Sequence, residues 1–116
     1  MRYGLAAAAA LLLASCNSAE NEGGIDAMRL VNADQDGANW ISHGRTYSEQ
    51  RFSPLDQINR ETVSDLGLAW FVDMDTARGQ EATPLVMDGK LYVTTAWSKV
   101  FAFDAATGEP LWSYDP

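Results

Sequence analysis

Residues 78–116 read RGQEATPLVMDGKLYVTTAWSKVFAFDAATGEPLWSYDP, and the fold turns on how this stretch is read. Three runs rich in Val, Leu, Tyr, Phe and Thr, at residues 83–87, 90–95 and 99–104, have the composition of strands and are cut by turn residues. A fourth run occupies residues 111–115. Asp88-Gly89 between the first two predicts a two-residue hairpin, because a primed turn holds its central residues at positive φ, where glycine has no Cβ to clash. Ala105-Ala106-Thr107-Gly108 separates the last two runs; Asp104 can cap that turn through its carboxylate, and Gly108 can take the left-handed conformation. A four-stranded antiparallel sheet is expected.

Upstream, residues 68–73 (LAWFVD) read as another strand and resemble residues 110–115 (PLWSYD). Trp70 and Trp112 lie 42 residues apart, within the period of about 40–45 that one propeller blade occupies. Two short Trp-containing strands can also look alike simply because strands favour aromatic residues. Asn59 or Thr62 can cap a helical turn through Val63 and Leu66. Residues 34–59 scatter Trp40, Ile41, Tyr47, Phe52, Leu55 and Ile58 among polar residues with no regular period, which predicts an ordered irregular segment pinned by its aromatics to a larger surface. Residues 17–33 are poor in large apolar side chains and read as a flexible tether.

Residues 1–16 have the pattern of a targeting segment: Arg2, an apolar run too short to span a bilayer, then Leu13-Ala14-Ser15-Cys16. That ending has the form of a bacterial lipoprotein cleavage site, which makes Cys16 the expected lipidated residue, the membrane anchor and the first residue of the mature chain. An ordinary secretory peptide cut near the same Ala and Ser is the other reading. Cys16 is the sole cysteine, so these residues supply no disulfide, thiolate metal pair or haem attachment site. Sixteen acidic against eight basic residues, dispersed along the chain, argue against nucleic acid as a partner. A lone blade buries too little apolar surface to offset an ordering cost of roughly 1–2 kcal/mol per residue. The 116 residues are therefore expected to be the N-terminal piece of a longer protein.

Ala102, Asp104, Gly108 and Trp112, spaced Ala-x-Asp-x-x-x-Gly-x-x-x-Trp, resemble the tryptophan docking motif of the quinoprotein alcohol dehydrogenases. In such a motif the indole packs into the seam between blades, the alanine leaves room for a neighbouring ring, and Asp and Gly fix the turn. Further matches are dispersed: Asn39-Trp40, residues 43–48 (HGRTYS), 50–55 (QRFSPL) and 57–59 (QIN) resemble the segment ahead of the first blade. Residues 66–70, 78–84 (RGQEATP) and 95–100 (TAWSKV) look most like the quinohaemoprotein branch.

The resemblance implies an all-β, eight-bladed β-propeller of which residues 34–116 hold the lead-in segment, a closing outer strand and the first blade. It implies pyrroloquinoline quinone (PQQ) as cofactor, calcium as its Lewis acid, a small alcohol as substrate, a cytochrome as electron acceptor and a periplasmic location, with haem c in a further domain for the quinohaemoprotein branch. The calcium ligands and the catalytic aspartate would fall outside this sequence. By the same resemblance Glu81 meets the rim of the cofactor; read from the residues alone, it is better explained as a solvated loop carboxylate beside Arg78. His43 is the one histidine and has no carboxylate or second ligand nearby in sequence, which fits a packing or hydrogen-bonding role. Trp97 suits either interblade packing or the cofactor cavity, and Asp73 and Asp75 suit solvated turn positions, since the other oxygen ligands of a calcium loop are missing. The contrasting function is a non-catalytic lipoprotein propeller, like the outer-membrane assembly lipoproteins, which share the docking motif and the lipid anchor but bind no quinone.

Overall fold

A computed structural model of the chain describes residues 24–116. Strands β1 (Leu85–Met87), β2 (Lys90–Thr94), β3 (Val100–Asp104) and β4 (Pro110–Tyr114) form one antiparallel sheet in the order β1-β2-β3-β4. The first hairpin has the expected primed geometry: Met87 lies opposite Lys90, with Asp88 at φ 50° and Gly89 at φ 74° between them. Aspartate tolerates that region better than most residues with a side chain, and here its carboxylate accepts from the Arg29 guanidinium. The carbonyl of Gly89 accepts from the Ala105 N–H at 2.8 Å, which ties the first turn to the last.

The two faces of the sheet divide the aromatic residues. On one face Tyr92, Ala102 and Trp112 stand in register across β2, β3 and β4. Ala102 is fully buried, and the rings of Tyr92 and Trp112 meet beside it with centroids 6.0 Å apart. On the other face Phe101 and Phe103 stack at 6.4 Å, and Trp70 leans on Phe103 at 6.3 Å. A bulge between Ala102 and Phe103 lets Trp112 oppose Ala102 while Pro110 opposes Phe103.

The free edge of β1 is occupied by the lead-in segment. Trp40 and Val86 exchange both backbone hydrogen bonds, at 2.9 and 3.0 Å, and Ile41 beside them is buried. Further upstream, helix α1 (Ala27–Val31) begins at Asp26, whose carboxylate accepts from the Arg29 N–H at 2.7 Å. Arg29 then forks onto Asp88 in the first hairpin turn at 2.8 and 2.5 Å, with Asp36 3.7 Å away. Asn39 completes the link by accepting from the Asp88 N–H at 2.8 Å and donating to Asp36. Residues 27–33, placed in the tether by their composition, are thus attached to the blade, and Ala33 is buried. Cys16 and the targeting segment lie outside the described residues.

Residues 68–73 form no strand. Their apolar composition favours extended backbone, but no partner strand is at hand to complete a ladder. Trp70 is held all the same, since its indole Nε1 donates to the Ala105 carbonyl at 3.1 Å. Between β2 and β3, where strand was expected as far as Thr95 and again from Lys99, Ala96–Ser98 makes a tight helical turn with Trp97 at φ 68° and Ser98 at φ 59°. Thr62 holds the N-cap position of the turn at Val63–Asp65 but makes no capping bond with its side chain; Asn59 instead fixes the bend just ahead of it, accepting from the N–H groups of Glu61 and Thr62 at 2.9 and 3.1 Å.

Candidate functional site

Glu81 lies four residues ahead of β1, exposed, at one end of the sheet. Residues 79–82 and 94–96 line an open cleft of about 320 Å³ there. The end of β2 and the approach to β1 form its two walls, held together by a hydrogen bond from the Gln80 side-chain amide to the Thr94 carbonyl. Arg78, the neighbour that could have neutralised Glu81, instead places its guanidinium 4.5 Å from the centre of the Trp97 ring. Among the described residues Glu81 enters no ion pair, so its carboxylate remains available as an acceptor.

Trp97 stands at the same end, two-thirds exposed, in a backbone region that a bulky side chain seldom adopts. Nothing in the residue order announced that turn or the Arg78–Trp97 pair. His43 accepts or shares a hydrogen bond with the Arg51 guanidinium, away from the cleft. Asp75 pairs with Lys99 at 3.0 Å, and Asp115 reaches the same ammonium at 3.0 Å, which raises the Lys99 pKa through Asp75 first and Asp115 second. Among the described residues no three His, Cys, Asp or Glu side chains cluster as metal ligands would. Nor is any helix of those residues long and apolar enough to cross a membrane.

The docking motif is built around Asp104. Its Oδ1 accepts from the Ala106 N–H at 3.0 Å, the Thr107 N–H at 2.9 Å and the Thr107 hydroxyl at 2.9 Å. The Thr107 N–H and hydroxyl, followed by the Ala106 N–H, hold the Asp104 carboxyl below the usual carboxylate range. The turn so fixed closes with Gly108 at φ 76°, donating its N–H to the Asp104 carbonyl at 2.9 Å. Trp70 lies directly against Gly108, where a Cβ would come within 2.6 Å of the indole. The ring that the motif receives therefore comes from the Trp one blade-length upstream, seated by both a hydrogen bond and a close backbone approach.

The β-propeller domain of PQQ glucose, ethanol and alcohol dehydrogenases matches residues 40–116. The chain belongs to this family. It is 57% identical over 103 residues to the dehydrogenase subunit of the quinone alcohol dehydrogenase of Komagataeibacter europaeus, covering 89% of this chain and 14% of that protein. The solved quinohaemoprotein alcohol dehydrogenase of Pseudomonas putida HK5 superposes with a TM-score of 0.76 at 51% identity, over 79% of this chain and 14% of that one. A europium-containing methanol dehydrogenase superposes with a TM-score of 0.68 at 33% identity, over 77% of this chain and 16% of that one. The chain is thus homologous to PQQ alcohol dehydrogenases over most of its own length and spans about a seventh of theirs. Within the family, the four strands are one blade of a propeller.

Proposed function

We propose that this chain supplies the lead-in segment and first blade of an eight-bladed, PQQ-dependent alcohol dehydrogenase, and that Glu81 meets the cofactor. The observation that carries this reading is the unpaired Glu81 carboxylate at the mouth of an open cleft, in a chain of this family. Bound PQQ supplies the two-electron acceptor for alcohol oxidation, activated by a metal ion that we take to be calcium. The residues of this chain do simpler work. Glu81 accepts an N–H donor or shares a proton with a carboxyl group, and the Gln80–Thr94 bond keeps the strand end in place beneath it. The enzyme faces the periplasm, tethered through lipid on Cys16, and passes electrons by way of haem to a cytochrome. Two or more acyl chains are needed for a stable anchor, so mass spectrometry of the mature N-terminus should find Cys16 acylated, and an unmodified Cys16 rejects the tether.

Glu81→Gln keeps an acceptor oxygen but removes the charge and the titratable proton. In the full-length protein it should weaken PQQ binding by roughly 1–3 kcal/mol, about five- to 150-fold, and leave the thermal transition without cofactor unmoved. Titration of the cofactor-free variant against the parent at one calcium concentration checks this. Indistinguishable titrations would mean that Glu81 is a solvated loop carboxylate.

A further inference from the structure

Arg45 is out of keeping with its surroundings. It is 8% exposed, its Nε is buried with no hydrogen-bond partner, and its one side-chain bond is a long one of 3.4 Å from Nη2 to the Asp34 carbonyl. A guanidinium carries five N–H donors, and burying it without acceptors is costly; buried arginines persist where an anion completes them. Arg45 pairs with no carboxylate among the described residues.

The groups around it are suited to an anion. Arg45, Arg51, Thr46, Ser48 and Asp34 line a cavity of about 100 Å³ between two turns of the lead-in segment. The Thr46 and Ser48 hydroxyls stand 2.8 Å apart, so either can turn its proton inward. The turns are closed by Arg45 N–H to Ser42 at 3.0 Å and Arg51 N–H to Gly44 at 3.2 Å, which brings the two arginines to one cavity from six residues apart. Size and charge narrow the ligand. At about 30 Å³ per water, the space suits a group of three or four heavy atoms. Asp34 lines the cavity, the Glu49 carboxylate lies against Gly44 of its wall, and Arg51 already shares one guanidinium nitrogen with His43, so the local charge is nearly balanced and suits a monoanion on Arg45 better than a doubly charged phosphate. Planar guanidinium forks select oxygen pairs over halides.

We infer that the Arg45–Arg51 cavity binds a carboxylate group, either a free small carboxylate ion or an Asp or Glu side chain from another part of the full-length protein. The test uses that protein at neutral pH, comparing its thermal transition in acetate and in chloride at equal ionic strength. A free carboxylate site gives a transition that rises with acetate. Arg51→Met, which keeps the buried Arg45 and is expected to fold, should then need about tenfold more acetate for the same rise, the consequence of losing one charge-assisted bond. An internal carboxylate gives no acetate response in the parent; an experimental structure then finds an Asp or Glu oxygen on the Arg45 guanidinium, and Arg45→Lys lowers the transition by losing the fork. The inference is overturned by an acetate response that Arg51→Met and Arg45→Met both keep, which is a general salt effect. It is equally overturned by no response together with only water or backbone oxygen on Arg45.

Discussion

Gly89 and Gly108 share a backbone conformation but have different neighbours, and the pair can be used to weigh a single contact. Both sit near φ 75°, yet a Cβ on Gly89 meets nothing within 4 Å whereas one on Gly108 would strike the Trp70 indole. Gly89→Ala should cost only the left-handed backbone term, about 1 kcal/mol. Gly108→Ala adds expulsion of the indole and should cost about 2–4 kcal/mol, with the excess measuring the docking contact. Denaturant unfolding of the two variants checks the difference, and equal losses would mean that Trp70 is not held by Gly108. Asp104 acts in the same turn by charge. Its folded pKa lies below the unfolded value of about 3.9, so as pH falls the unfolded chain takes up a proton before the folded one does. Its contribution is complete above that value and is lost as pH drops through the folded pKa. Asp104→Asn should therefore be less stable than the parent at neutral pH, with the gap closing in acid unfolding below about pH 4. These turn residues were legible in the sequence because glycine and aspartate betray a positive φ or a cap by their chemistry. The positive φ of Trp97, Arg45 and Arg51 was not, since Trp and Arg have no local preference for that region.

At the scale of elements, four strands and their order followed from residue type and turn spacing, to within two residues at each end. The lead-in segment did not, because its place is set by partners far along the chain. Trp40 pairs with Val86, and Arg29 with Asp88, across some 46 and 59 residues, and composition alone made residues 27–33 a tether. Arg29 holds its pKa above the usual value through its bond to Asp88 first, and Asp88 is lowered in return. The pair is solvent-accessible, so its effect should be local and weakened by salt. Arg29→Ala is expected to speed hydrogen exchange of the Val86 N–H, which is bonded to Trp40, while leaving β2 and β3 unchanged. Uniform acceleration across the sheet would instead make the clamp part of global stability. The cleft end of the blade was half legible: Glu81 was singled out by resemblance, but the stacking of Arg78 on Trp97 depends on a turn whose geometry only the fold reveals. The docking motif alone could not decide between an enzyme and a scaffold, since both use it; similarity over most of the chain decides for the dehydrogenase family.

For the whole molecule, the question is what residues 68–73 pair with. Leu68 is 80% exposed and Phe71 73%, on a segment with strand composition and no ladder, while Trp70 between them is fixed to the Ala105 carbonyl and Gly108. A side chain docked on one blade by a backbone that pairs with none is what a seam between two blades requires of the neighbouring blade's outer strand. The 42-residue spacing to Trp112, which lies on the outer strand β4, points the same way. We therefore expect residues 68–73 to complete the last blade of the ring in the full-length protein, so that the two ends of the polypeptide latch the propeller and leave no open sheet edge. Two measurements bear on it. An experimental structure of that protein should place residues 68–73 in a ladder with strands from the far end of the chain. Trp70→Ala should lower the stability of the closed ring by up to about 3–5 kcal/mol, the cost of an unfilled seam. It should also promote association between molecules, because an unlatched ring exposes strand edges that pair with other copies. A ladder between residues 68–73 and β1, or a Trp70→Ala variant with the parent's transition and monomeric state, would sink the latch and leave Trp70 as a contact within this blade alone.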